Sequence, residues 1–141
     1  MIELIILTKQ QVEEIVGHSR KTFPNEACGL LGGRIESDMK SVHKVYLLTN
    51  IDHSPEHFSM DPKEQFAAVK DMRNNGWVML GNFHSHPESP SRPSEEDKRL
   101  AYDSEMSYLI LSLLDKHPIL KSFKIQRDAV DVEEIIITEE D

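Results

Sequence analysis

The chain has 141 residues, with 16 basic and 25 acidic side chains and a formal charge of −9. That balance argues against nucleic acid as a main partner, because phosphate contacts need a basic surface, and Glu133, Glu134, Glu139, Glu140 and Asp141 add an acidic tail. No apolar run approaches the length that spans a bilayer, and a single cysteine permits no internal disulfide. The run Leu4 to Leu7 is too short for a secretion signal and lacks a basic lead, so the expected compartment is the cytoplasm. The length predicts one domain over residues 1–141, sufficient to bury one core.

Residues 2–7 read as a strand. Thr8 with Gln11 opens a helix that gathers Val12, Ile15 and Val16 on one face and ends before Pro24. Residues 27–35 and 41–49 pattern as a hairpin turned at Glu36-Ser37-Asp38. Gly29, Gly32 and Gly33 form no phosphate loop, since no Lys-Ser or Lys-Thr follows them; they predict close backbone packing or a bulge. Pro62 suits the first turn of a second helix running to Arg73, with Phe66, Val69 and Met72 at helical spacing. Trp77-Val78-Met79-Leu80 lies between the punctuation of Asn75-Gly76 and Pro87 and starts a strand that extends to His86. Strict alternation puts Val78, Leu80, Asn82, His84 and His86 on one face, with Trp77, Met79, Phe83 and Ser85 on the other. Residues 88–93 are a loop by composition. A short helix follows over 94–102, then strands at 107–114, 120–126 and 132–138. The sum is an α/β fold with a mixed sheet flanked by helices.

The chemistry concentrates between Gly81 and Asp97. His84 and His86, two apart on a strand, project to the same side. Asp97 follows eleven residues after His86, at a helix start from which a turn can bring it back. Two nitrogens and one oxygen leave a fourth position for water, the pattern of catalytic rather than structural zinc. Ser94 and Asp97 also satisfy a plain capping box, and an isolated His-x-His is more often an exposed pair. The conjunction, in this order and at these spacings, favours a metal. Spacing does not nominate a general base: Glu26 lies 58 residues before His84, while Glu88, Glu95 and Glu96 are nearer. Cys28 reads as a small buried apolar residue. His53 and His57 read as solvated loop residues, and His18, His43 and His117 have no ligand partner at useful spacing.

The pattern His-x-His-Pro, five residues, Pro-Ser-x-x-Asp, here His84, His86, Pro87, Pro93, Ser94 and Asp97, resembles the JAMM motif of MPN-domain metalloproteases. Pro24 through Gly33 is similar to the segment that carries the family's upstream glutamate. Asn50 through Pro62, with Pro55 and Phe58, is similar to the linking segment of short bacterial and archaeal members. The likeness covers roughly residues 3 to 115, and the long insertions with which eukaryotic members hold ubiquitin are missing. The resemblance implies a partly barrel-like sheet of the MPN/JAB, cytidine-deaminase-like type. It implies one zinc per chain on His84, His86 and Asp97, with Glu26 as general base and Ser94 as hydroxyl donor to the oxyanion. It further implies a peptidase or isopeptidase acting after the C-terminal Gly-Gly of a ubiquitin-like or sulfur-carrier protein. Two alternatives stand beside it. One is a zinc hydrolase of a small molecule, whose deaminase form is excluded because that signature needs a cysteine pair. The other is a non-catalytic MPN-type scaffold, disfavoured because such members typically lack the ligands.

Overall fold

The structure, a computed structural model, describes residues 4–127 and 129–139. Its elements in chain order are β1 (Leu4–Thr8), α1 (Lys9–Thr22), β2 (Cys28–Glu36), β3 (Met39–Leu48), α2 (Pro62–Asn74), β4 (Val78–His86), α3 (Glu95–Arg99), β5 (Ser107–Ser112), β6 (Ile119–Gln126) and β7 (Ala129–Thr138). Residues 2 and 3 of the expected first strand, and Glu140 and Asp141 of the acidic tail, lie outside the described residues. The strands close a barrel in the order β1-β3-β2-β4-β5-β6-β7. β1 runs parallel to both β3 and β7, β4 runs parallel to β5, and the other neighbours are antiparallel. The sheet is therefore mixed, as expected, and closed rather than partly so. No helix among the described residues is long and apolar enough to cross a membrane.

Local chemistry accounts for most boundaries. The Thr8 hydroxyl accepts from the Gln11 N–H at 3.1 Å and the Gln11 side chain accepts from the Thr8 N–H at 2.9 Å, the reciprocal cap read from the sequence. The Gln11 amide also donates to the Val42 carbonyl at 3.0 Å and so docks α1 on β3. Ser37 and Asp38 turn the β2–β3 hairpin with φ of 50° and 63°, the left-handed pair that a two-residue hairpin of native twist requires. Helix α3 stops at Arg99, short of the expected 102. α2 buries Met72 of its expected apolar face but not Phe66, which is 73% exposed; Ala68 is the other buried residue.

The strict alternation expected along β4 fails at one point. Leu31 of β2 faces Gly81 and the next residue, Gly32, faces Met79, so Leu80 is an extra residue. Such a bulge reverses the phase of the side chains. Leu80 and Phe83 consequently share one core with Ile5, Leu7, Ile15 and Leu31. Met79 and Trp77 pack against the other, around Cys28, Leu30, Tyr46 and Met72. His84 lies directly opposite Cys28 and hence on the side of Met79, not of Leu80. The expected common face of Leu80 and His84 is corrected accordingly.

The barrel also buries two polar side chains of opposite type. Glu133, expected in an acidic tail, is 2% exposed and accepts from the Ser122 hydroxyl at 2.6 Å. Lys40, equally buried, donates to the carbonyls of Leu80 (3.3 Å) and Glu105 (2.6 Å) and to the Ser107 hydroxyl (2.7 Å). Burial pushes the Lys40 ammonium down to about 8. Its bond to Leu80 ties the bulge to the start of β5. There the backbones come close: a Cβ on Gly81 would lie 2.2 Å from the Ser107 carbonyl oxygen. Gly81→Ala should therefore destabilise the protein by about 1–3 kcal/mol or more, because backbone, unlike a flexible side chain, cannot yield cheaply. Urea unfolding checks this; the midpoint should fall with little change in slope.

Candidate metal centre

Three elements converge at the C-terminal end of β4. Past the bulge, normal alternation sends His84 and His86 to one side. β2 leads in beside them through Glu26 and Ala27, clamped to β4 by Ser85, whose N–H donates to the Ala27 carbonyl (3.0 Å) and whose hydroxyl accepts from the Ala27 N–H (2.8 Å). α3 brings Asp97. The Ser94 hydroxyl accepts from the Asp97 N–H at 3.1 Å, and Asp97 Oδ2 accepts from the Ser94 N–H at 2.9 Å. That same Oδ2 lies 3.2 Å from His84 Nε2 and 3.1 Å from His86 Nε2, which are 3.1 Å from each other. The capping box and the cluster are thus one arrangement, not rival accounts of Asp97: the cap aims the carboxylate.

The donor set can be tested against a metal. Bonds of about 2.0–2.1 Å at tetrahedral angles separate neighbouring ligand atoms by about 3.3 Å, close to the 3.1–3.2 Å observed. Two imidazole nitrogens and a carboxylate oxygen facing one another need a cation or protons between them. His86 Nδ1 donates to the Pro90 carbonyl at 2.8 Å, so Nε2 faces the cluster and offers its lone pair to a metal whenever the ring is neutral. The residues fit a tetrahedral divalent ion with one corner open.

Electrostatics sharpen the roles. Burial alone would raise Asp97, but hydrogen bonds from His84 and His86 outweigh it and hold the carboxyl well below its ordinary range. Burial works against charging His86, and its bonds to Asp97 and the Pro90 carbonyl prevail, so it stays above the usual imidazole value. Glu26 behaves oppositely. It is 4% exposed, its Oε1 has no partner, and burial pushes it up to about 8 although His86 pulls it down. Among the four glutamates left open by sequence, Glu88 is exposed, Glu95 and Glu96 pair with Lys98 and Arg99 within α3, and Glu96 also borders the cavity beside the cluster. Glu26 is the buried one.

The remaining histidines and the cysteine sort simply. Cys28 is fully buried, and burial raises its thiol to about 12, as suits a packing residue. His57 bonds Asp52 at 3.1 Å in the exposed part of its loop, His18 bonds the Leu48 carbonyl at 2.9 Å, and His43 stacks on Trp77. Sequence reading missed Asn50 and Phe58 as individual site residues. Asn50 Nδ2 donates to the Glu26 carbonyl at 3.0 Å, and the Phe58 ring stacks on His84 at 4.8 Å. Both lie in the quoted linking segment, whose proximity to the site is set by pairing across the barrel. Beside the cluster, a cavity of about 50 Å³ opens between Phe58, His84, Leu100, Tyr108 and Ile110.

Residues 8–126 match the family model described as prokaryotic homologs of the JAB domain. The chain is 30% identical over 140 residues to the CysO-cysteine peptidase of Mycobacterium tuberculosis, covering 99% of this chain and 94% of that protein. It is 31% identical over 105 residues to the desampylase of Haloferax volcanii, covering 71% of this chain and 74% of that one. A protein of Desulfitobacterium hafniense, solved in solution, is similar at 64% identity with a TM-score of 0.89, covering 96% of this chain and 94% of that chain.

The raised Glu26 has a measurable sign. Its ordinary value is 4.5 and its folded value about 8, so between those limits the folded protein holds a proton that the unfolded chain has lost. Stability of the metal-free protein should fall as pH rises through this window. Glu26→Gln should flatten that part of the profile, and urea midpoints of chelator-treated protein at several pH values measure the difference.

Proposed function

The chain belongs to the prokaryotic JAB family, and from that membership we propose that it is a zinc-dependent peptidase or isopeptidase. Its substrate in this reading is a ubiquitin-like or sulfur-carrier protein, cut at the amide bond that follows a C-terminal Gly-Gly. One observation carries the reading: two imidazole nitrogens and a carboxylate oxygen converge at 3.1–3.2 Å beside a buried glutamate whose Oε1 has no partner. Relatives named as a CysO-cysteine peptidase and a desampylase support the same class of reaction.

His84, His86 and Asp97 would hold the ion, which when bound supplies a water acidified from about 16 to about 7 and polarises a carbonyl. The positive charge favours the carboxylate form of Glu26, against the effect of burial. Glu26 takes the proton of the attacking water and hands it to the leaving amine. The Ser94 hydroxyl spends a lone pair on the Asp97 N–H and keeps its own proton to donate. A donor of this kind on the developing oxyanion contributes about 2.7–4 kcal/mol to the transition state. Burial bears on the substrate too. Glu26, His84 and His86 are each 5% exposed or less, so the reacting bond must enter a recessed site. A glycine pair, with no Cβ on the acyl side of that bond, enters most easily.

Purified protein should carry about one zinc per chain, and His84→Ala or Asp97→Ala should release it; full occupancy in both variants would take these residues out of the site. Glu26→Gln should retain zinc and lose at least about a hundredfold in kcat, since only proton transfer is removed. The decisive assay incubates wild type with a carrier protein extended beyond Gly-Gly and reads the products by mass spectrometry. A cut after the second glycine that chelator abolishes is the expected result; no cut by zinc-loaded protein rejects the reading.

A further inference from the structure

The segment between β3 and α2 holds the site from one side. Asn50 is 4% exposed, and all four of its amide bonding positions are used. Nδ2 donates to the carbonyls of Glu26 (3.0 Å) and His57 (3.1 Å); Oδ1 accepts from the N–H groups of Asp52 (3.0 Å) and Ser59 (3.1 Å). The Glu26 N–H in turn donates to the Ser54 carbonyl at 2.8 Å. Both backbone polar groups of Glu26 are therefore bonded to this loop, and β2 begins only at Cys28. The Oε1 atom of Glu26 has no partner, so no bond through that oxygen fixes the carboxylate. Its position is set through the backbone. The amide that closes the loop on itself is the amide that grips Glu26.

We propose that Asn50 is a positioning residue for Glu26: its side-chain amide locks residues 50–60 closed and fixes the backbone that carries the base beside His84 and His86. This rests on the reading of Glu26 as general base. Asn50 lies outside the strands of the barrel, so its loss should loosen the loop, which Phe58 and Met60 still anchor on the core, and leave the barrel standing. A loop freed at Asn50 lets the Glu26 backbone drift, and a displacement of about 1 Å in a reacting group costs about a hundredfold in rate. Zinc affinity should be spared, because Asn50 bonds none of the three proposed ligands.

Zinc-loaded wild type, Asn50→Ala and Asn50→Asp are compared in the cleavage assay, with hydrogen exchange measured on the same proteins. Asn50→Asp keeps the size and the acceptor but sets a carboxylate oxygen against the carbonyls of Glu26 and His57, so it breaks the same two bonds without leaving a cavity if the alanine variant folds poorly. Both variants should bind one zinc, keep KM within about twofold and lose roughly a hundredfold in kcat. In a Glu26→Gln background Asn50→Ala should cost nothing more, since it acts through that carboxylate. Protection at the Glu26 amide and across 50–60 should drop while β4 and β5 stay protected. Unchanged kcat, losses that multiply in the double variant, or a wild-type Glu26 amide exchanging like open loop would each overturn the inference. Absence of any cleavage by wild type would instead reject the proposed function, and the exchange measurement would still decide whether the clamp exists.

Discussion

Holding three electron-rich atoms within 3.2 Å of one another is the constraint around which this molecule is organised. Lone pairs so close repel unless a cation or protons sit between them, so the protein must keep them together by rigid means. Two of the three come from β4, an interior strand pinned on both sides by β2 and β5. The third comes from a five-residue helix too short to be stable alone, held in place because its first turn is capped by Ser94 and its carboxylate faces the imidazoles. One bond to a backbone carbonyl, from His86 to Pro90, steadies the second imidazole, and stacking on Phe58 steadies the first.

The bulge at Leu80 reconciles two demands on one strand. β4 must bury Leu80 and Phe83 in the core beneath α1, yet present His84 and His86 to the opposite side, where Glu26 and Phe58 wait. A regular strand puts residues 80 and 84 on the same face. One extra residue resolves the conflict, and Lys40, donating to the Leu80 carbonyl from inside the barrel, supports it.

What the sequence made legible was local. The two-residue step from His84 to His86 and the three-residue step from Ser94 to Asp97 each encode a geometry within a single element, and both can be read without knowing the fold. The Thr8–Gln11 cap and the Ser37-Asp38 turn are of the same kind. Features that depend on partners distant in the chain were not legible. The reversed phase of β4 arises from its register with β2. Glu133 looks like part of an acidic tail until Ser122, on the neighbouring strand, gives it a buried partner. Phe66 fits a helical stripe, but the face of α2 that meets the sheet is decided by Ala68 and Met72. Nothing near Asn50 in the chain announces that its amide ends on Glu26, because that contact exists only once β3 has paired with β2.

Closure of the barrel sets the order in which this protein comes into being. Leu4 lies opposite Glu134 and Thr8 opposite Thr138, so β1, synthesised first, waits for β7 before its second edge is covered. Until β7 leaves the ribosome, β1 and β6 each present an unpaired rim open to association with other nascent chains. Long-range parallel pairing of this sort also slows folding. The seam between β1 and β7 is thus the part of the barrel most in need of cover during synthesis.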